Sequence, residues 1–366
     1  MNISIAKSED KDSIRKLWEY CFEDPKEYND YYFENIFSPE NTIVAKNKGK
    51  IIGSLQLRTY NMNFFSFKRK VALIVGISTL PEYRGQNIMH SIIMHTMKYL
   101  YKEDYSMVLL TARYPIIYKK YGFNYISSHK NYEFPLKNIP EVKLPKSIYI
   151  KRADEKDYNI LAALYKNFQE SRKIYFERDA SIFKQLYEEL VVENGNIYLI
   201  YKNNEAIGYF FSILSKSQII IREFVYKDRF AIKALFSYLY YHQGQVYKAS
   251  ITAPKDEMFE ELLNWDIDCD AFIKPFMLGR ILNINKFIDI FKGSNISYNI
   301  TDKIINSNSV IINQSNSENI NLDISNISQL IFDYIDVETF RKYNQINCKN
   351  FNLLDKKITP FLNQYI

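Results

Sequence analysis

The stretch VALIVGISTLPEYRGQNIMHSIIMHTMKYLY, residues 71–101, decides how the chain is read. Val71 to Thr79 is an apolar, β-branched run and is expected to form a strand. Pro81 stops it, and Tyr83-Arg84-Gly85-Gln86-Asn87 makes a polar turn. From Ile88 the period changes: Ile88, Met89, Ile92, Ile93, Met97 and Leu100 recur at helical spacing. A loop that opens a helix leaves backbone N–H groups unpaired and aimed at one point. With the helix dipole and an arginine beside it, that point favours an anion, especially a phosphate.

Upstream, Ile3 to Ala6 reads as a first strand. Asp10 or Asp12 then caps a helix whose apolar face carries Ile14, Leu17, Trp18 and Cys21, and Phe22-Glu23-Asp24-Pro25 is its exit. Asn41 to Ala45 and Lys50 to Leu57 are two strands joined by the turn Lys46-Asn47-Lys48-Gly49. Downstream, Tyr105 to Ala112 is another buried strand, Pro115 to Lys120 begins a short helix, and Gly122 is available for a left-handed cap. Residues 137–147 are polar, contain two prolines and have no clean period, which places a domain boundary there.

Beyond the boundary the beginning repeats. Ile148-Tyr149-Ile150 parallels Ile3-Ser4-Ile5, and Lys156-Asp157 parallels Lys11-Asp12. After a one-residue slip, Ile160, Leu164 and Phe168 fall in with Ile14, Trp18 and Phe22. YLIYKNNEAIGYF (198–210) matches IVAKNKGKIIGSL (43–55), with Gly208 in the place of Gly53. The same strand-helix-hairpin order in both halves implies a duplicated domain. The second counterpart of the opening stretch, EFVYKDRFAIKALFSYL (223–239), has neither glycine nor an arginine-glycine turn, so this copy is expected to keep the fold without the anion site. From Lys274 the pattern changes again: a strand over Phe276 to Ile284, two more over Ile296 to Ile305 and Val310 to Asn313, short helices near Ile327 to Tyr334 and Val337 to Tyr343, and an apolar ending, ITPFLNQYI, expected to be buried.

Composition bounds the partners. The 366 residues suffice for two or three domains, and 47% hydrophobic with 25% charged residues is a globular profile. The net charge of +6 is spread among opposite charges, which speaks against nucleic acid or a membrane surface as partner. No apolar run reaches the roughly 20 residues of a membrane helix, and the start has no apolar signal region. Cys21, Cys269 and Cys348 lie far apart, and neither they nor His90, His95, His129 and His242 have metal-ligand spacing. A cytoplasmic protein without a metal is expected.

Arg84-Gly85-Gln86-Asn87-Ile88-Met89 resembles the acyl-CoA loop of the GCN5-related N-acetyltransferases (GNAT): Arg or Gln, two residues, Gly, one residue, then Gly or Ala. Arg84 matches, whereas Asn87 and Met89 stand where small residues are usual; Asn tolerates a left-handed backbone better than most residues. Ile117-Tyr118-Lys119-Lys120-Tyr121-Gly122-Phe123 resembles the family's second motif, an aromatic followed four residues on by Gly-Phe. The whole chain resembles the multi-domain branch named for enhanced intracellular survival (Eis). The resemblance implies a mixed α+β fold with an active acetyltransferase domain over 1–145, a degenerate copy over 146–273, and a sterol-carrier-protein-like domain over 274–366, assembled as a hexamer.

It also implies direct transfer of acetyl from acetyl-CoA to an amine, whether a cationic small molecule such as an aminoglycoside or polyamine, or a protein amine. Tyr118 would be the general acid, with Tyr121 as rival, and the terminal carboxylate at Ile366 the general base. Ile77, Ser78 and Thr79 would run along the pantetheine arm and pair with it through their backbone. Arg84, Gly85, Gln86, Asn87, Ile88 and Met89 would surround the diphosphate. Asp24 and Phe22 would form the acceptor's mouth, although an aspartate at a helix exit is as readily a surface residue. A rival class is a non-catalytic protein that binds acyl-CoA or an apolar ligand.

Overall fold

The computed structural model describes residues 1–259, 269–291, 296–313, 318–346 and 358–364. The chain divides into two compact units, one of residues 1–127, 276–358 and 364–366 and the other of 128–275 and 359–363. In chain order the first copy comprises β1 (Asn2–Ile5), α1 (Lys11–Cys21), α2 (Lys26–Tyr31), β2 (Thr42–Asn47), β3 (Lys50–Phe64), β4 (Phe67–Thr79), α3 (Ile88–Lys102), β5 (Met107–Leu110), α4 (Ile116–Lys119) and β6 (Asn124–Tyr125). The second comprises β7 (Ser128–Pro135), β8 (Ile148–Arg152), α5 (Tyr158–Glu170), β9 (Ile174–Phe176), α6 (Ala180–Val192), β10 (Gly195–Lys202), β11 (Glu205–Leu214), β12 (Gln218–Tyr226), α7 (Arg229–Tyr240), β13 (Lys248–Pro254) and β14 (Asp270–Pro275). β15 (Leu278–Ile281), β16 (Ile296–Thr301), β17 (Val310–Ile312), β18 (Glu318–Asp323), α8 (Ile324–Ile331) and α9 (Val337–Asn344) follow.

The two copies repeat in detail. Each hairpin turns on two residues with positive φ, Lys48-Gly49 in one and Asn203-Asn204 in the other, as a two-residue turn between twisted strands requires. The register shifts between Ala45 and Lys46 in the first hairpin and between Ile200 and Tyr201 in the second. Gly53 and Gly208 let a helix press on the sheet: an added Cβ would stand 3.0 Å from Ile88 and Ile92 at Gly53, and 3.2 Å from the Ala231 side chain at Gly208.

One alignment is corrected. The Asp10 carboxylate does not cap α1; it accepts from the Lys7 backbone N–H at 2.9 Å and from Lys46. Asp157 does the same before α5, accepting from the Asp154 N–H at 2.9 Å and from Lys151 at 2.9 Å. Asp157 therefore corresponds to Asp10 and not to Asp12, and no slip is needed. Leu161, Leu164 and Tyr165 are the buried face that matches Ile14, Leu17 and Trp18, whereas Ile160 is only half-buried.

Neither unit is a continuous piece of chain. In the first, the strands run β1-β2-β3-β4-β5-β15-β6, so β15 from beyond the second copy sits between two strands of the first. In the second, the order is β14-β7-β13-β12-β11-β10-β8, and β7 has joined this sheet ahead of the boundary expected near residue 145. β4 pairs β5, and β12 pairs β13, in parallel; the other successive pairs along these two orders are antiparallel. A third sheet, β17-β16-β18, lies in the last stretch, with β16 and β17 antiparallel around Asn306–Asn308 as the sequence suggests.

Residues 359–363 are held in the second unit by side chains that take their carbonyls. Arg172 Nη1 donates to Thr359 (3.2 Å), Gln169 Nε2 to Phe361 (3.4 Å), His129 Nε2 to Leu362 (3.2 Å), and Arg178 to Asn363. Arg178 also donates to both oxygens of Glu223, at 2.8 and 2.9 Å, and both residues are buried. Asn363 Nδ2 returns a hydrogen bond to Glu223 at 2.8 Å. Each carbonyl would otherwise be stranded in the interior at a cost of about 1–3 kcal/mol.

Burial pushes the His129 imidazole down to about 4, against a smaller opposing effect of its bond to Leu362. It is neutral in the fold and ordinary, near 6.5, in the unfolded chain. Stability of this unit is therefore full above about pH 6.5 and is lost as pH falls from there towards 4, by on the order of 3 kcal/mol. His129→Gln keeps an N–H donor but cannot titrate. Urea unfolding at pH 7 and pH 4.5 should show the smaller loss in the variant; equal losses would exclude His129 as the cause.

Candidate active site

The site begins where two parallel strands separate. β4 pairs β5 from Val71 opposite Met107 to Ile74 opposite Leu110. β4 then bulges away: Ser54 faces Ser78 and Gln56 faces Val75, which leaves Gly76 and Ile77 opposite Leu55 alone. Gly76 has φ 58°, and a Cβ there would stand 2.0 Å from the Trp18 ring. A cleft of about 330 Å³ opens between the strands. Ile74 to Ile77 form one wall and Leu110 to Arg113 another; Trp18, Phe22, Asp24 and Tyr28 line it from the α1–α2 side, and Tyr114, Ile117 and Tyr118 from the segment after β5.

Asp24 is set in place by α1. Trp18 Nε1 donates to its Oδ2 at 2.9 Å, and the indole stacks on Tyr32 at 4.8 Å and tilts against Phe22 at 4.9 Å. Tyr32 in turn donates to Gln56 on β3 at 2.9 Å. Tyr118 is held by the turn that ends α4: the Tyr121 N–H bonds the Tyr118 carbonyl at 2.9 Å, and the Gly122 N–H bonds Lys119 at 3.0 Å with φ 79° at Gly122. Arg280 on β15 braces this turn by donating to the Tyr121 carbonyl, while its other nitrogen clasps Asp302 at 2.7 and 2.6 Å. Burial, and secondarily Tyr121, raise the Tyr118 phenol above its usual value, so it is protonated at neutral pH. Among the described residues its hydroxyl has no hydrogen-bond partner. Tyr121 is buried, its hydroxyl 3.3 Å from His90 Nδ1.

Past Thr79 the chain makes a short 3-10 turn, Pro81–Tyr83, and enters α3 through Gly85 (φ 78°) and Asn87 (φ 59°). Asn87 takes the left-handed conformation that glycine usually supplies, and its side chain does not cap the helix. The Ser91 N–H bonds the Asn87 carbonyl at 3.0 Å, so the N–H groups of Ile88, Met89 and His90 lie ahead of the ladder. Arg84 Nε donates to the Thr79 carbonyl at 3.3 Å and its Nη2 lies 3.9 Å from Cys21 Sγ, so in this structure the exposed guanidinium leans back over the end of β4. The second copy differs here. Asp228 caps α7, its carboxylate accepting from the Phe230 and Ala231 N–H groups at 2.8 and 3.2 Å. The place an anion would take is filled by the protein's own carboxylate.

Phe22, Asp24, Ile77 and Tyr118, four of the residues singled out from the sequence, thus line one cleft. Arg84 to Met89 form the loop at the head of α3. Ser78 and Thr79 continue β4; Ser78 is buried with its hydroxyl 2.9 Å from that of Ser54. Ile366 lies outside the described residues. Sequence reasoning placed Trp18 in the core only and passed over Tyr28, Arg113 and Tyr114. A cation directly after a buried strand, in Thr111-Ala112-Arg113, was the available signal. No helix among the described residues is long and apolar enough to cross a membrane.

A family model for the acetyltransferase (GNAT) domain matches residues 2–126, and a second such model matches residues 175–281. No curated protein matches the sequence. Among solved structures, a "probable N-acyltransferase" of unknown function from Enterococcus faecalis has a TM-score of 0.86 at 19% identity over 100% of this chain and 99% of its own. A GCN5-related N-acetyltransferase from Anabaena variabilis has 0.84 at 18% over 100% of both chains. Eis1 from Mycobacterium abscessus has 0.76 at 12% over 100% of both. At these identities the likeness is one of fold.

The loop makes one local prediction. Asn87→Val, a β-branched residue forced to φ near 59°, should destabilise the protein by about 1–2 kcal/mol. Asn87→Gly should be neutral or slightly stabilising, because glycine enters that region freely. Thermal unfolding of the three proteins checks the order; equal midpoints would mean that the loop does not need its left-handed residue.

Proposed function

From a chain that carries two GNAT acetyltransferase domains in tandem, and is an N-acetyltransferase by them, we propose that the first copy alone transfers acetyl from acetyl-CoA to the amine of a small molecule that enters as an ammonium. The observation that carries this reading is the single cleft in which the open edge of β4, Asp24 and Tyr118 meet. The GNAT fold uses acyl-CoA as co-substrate, and the residues present suit it. Val75 to Thr79 have β3 on one side and, past Leu110, no paired strand on the other among the described residues, which suits an amide-bearing arm. The uncapped head of α3 with Arg84 suits a diphosphate. Asp228 removes that option from the second copy.

In the cleft the amine nitrogen attacks the thioester carbonyl; the C–N bond forms and the C–S bond breaks. Tyr118 gives its phenolic proton to the departing thiolate and regains one from water. Its raised pKa keeps that proton in place until the thiolate forms beside it. Asp24 faces the cleft with no cationic side chain paired to it among the described residues, and attracts the ammonium form of the acceptor. The base is assigned, on the resemblance to the Eis branch, to the carboxylate of Ile366; membership of that branch, its hexamer and a sterol-carrier-like last domain belong to the same proposal.

Two measurements test the mechanism, both by release of CoA thiol. Tyr118→Phe should lower kcat about a hundredfold, with little change in the KM for acetyl-CoA; unchanged kcat would move the acid elsewhere. Two residues added after Ile366 should displace the carboxylate and lower kcat by at least tenfold, and full activity in that protein would rule it out as base.

A further inference from the structure

The cleft holds two opposite charges that the protein itself does not neutralise. Asp24 accepts one hydrogen bond from the neutral Trp18 indole and has no ion-pair partner among the described residues. Arg113, in the bend that follows β5, lies 5.7 Å from the Tyr114 ring and likewise has no carboxylate partner among them. They line the same cleft and are not paired with each other. The buried arginines Arg178 and Arg280 are each closed by a carboxylate, Glu223 and Asp302, whereas the exposed Arg113 is not. A cation and an anion that line one open cleft without pairing form a template for a ligand with the reverse polarity.

We infer that the acceptor is a zwitterion, a small amino acid that presents its ammonium to Asp24 and its carboxylate to Arg113. The inference rests on the acetyltransferase reading and narrows its substrate class. A purely cationic polyamine would satisfy Asp24 and be repelled at Arg113. The planar guanidinium suits a carboxylate with two parallel N–H···O bonds. Trp18, Phe22, Tyr28 and Tyr114 supply apolar surface for its carbon skeleton. The bound ammonium must lose its proton before its nitrogen attacks; the carboxylate takes no part in bond making and stays in the product.

The test uses the full chain, acetyl-CoA and matched acceptors: phenylalanine with phenethylamine and lysine with cadaverine, each pair differing by the carboxylate. The kcat/KM for the acid should exceed that for its decarboxylated partner by about tenfold or more, the worth of one charge-assisted hydrogen bond. Arg113→Gln should bring that ratio to within about threefold of one, and Arg113→Lys should retain part of it. An amine turned over as well as its acid, or turnover of neither while acetyl-CoA binds, overturns the inference. So does a retained ratio in Arg113→Gln with a raised KM for acetyl-CoA, which would give the guanidinium to the donor's phosphates. Failure of the underlying reading looks different: calorimetry would then show no acetyl-CoA binding at all.

Discussion

The cleft depends on an indole that occupies the space a side chain at residue 76 would need. Because residue 76 is glycine, β4 can bulge at a positive φ over the Trp18 ring, just past Ile74, where its pairing with β5 ends. Any Cβ at that position would drive either the ring or the strand away. Trp18 is 4% exposed, and a buried aromatic of this size contributes roughly 2–3 kcal/mol through area alone. The same ring carries a polar edge outward to Asp24 and stacks inward on Tyr32, itself tied to Gln56 on β3. One side chain therefore separates the strands, orients the carboxylate at the mouth and anchors both to the sheet.

Duplication isolates what is specific to the first copy. The hairpin turns, their bulges and the glycine beneath the helix are common to both, so they belong to the fold. The helix entry is not common. Asn87 leaves the head of α3 open, and Asp228 closes the head of α7 with a carboxylate. The interior of the second unit is also closed: residues 359–363 lie against Gln169, His129, Arg178 and Glu223, and Tyr165, where the first copy has Trp18, sits under the Arg178 guanidinium at 4.4 Å. The second unit thus shares the architecture of the first, while its helix cap and buried polar groups are satisfied by its own chain.

Much of this was legible in local pattern. The hairpins, α3 and the Tyr118–Phe123 turn each follow from residues within one turn or one strand of each other, where periodicity and turn chemistry act. The left-handed Asn87 was legible for the same reason. The strand β15 was visible, but its insertion between β5 and β6 was not, because pairing between residues more than 150 positions apart leaves no local trace. Asp10 was misread because capping is judged from position alone, and a nearby lysine, Lys46, competed for its carboxylate through the fold. Trp18 was half-read: its spacing marked it as core, correctly, and nothing in spacing tells that its N–H faces a cleft. Arg113 was missed because a single cation after a strand resembles any surface residue until the opposite wall is known.

The distribution of charge joins the site to the fold. Arg178 with Glu223, and Arg280 with Asp302, are buried pairs in which one guanidinium nitrogen reaches both carboxylate oxygens and the other donates to a backbone carbonyl; an unpaired charge there would be strongly destabilising. Arg280 also donates through Nη1 to the Tyr121 carbonyl, so the ion pair that closes the interior also fixes the turn that presents Tyr118. At the cleft the rule is reversed. Asp24 and Arg113 stand near water, where an unpaired charge costs little, and the protein leaves both without a partner of its own among the described residues. Desolvation would penalise each of them once a ligand covers the cleft, and only a ligand that brings the matching charge offsets that penalty. Rigidity in the interior and unmatched charge at the mouth are thus two parts of one arrangement: the first holds the geometry, and the second makes occupancy conditional on the chemistry of what enters.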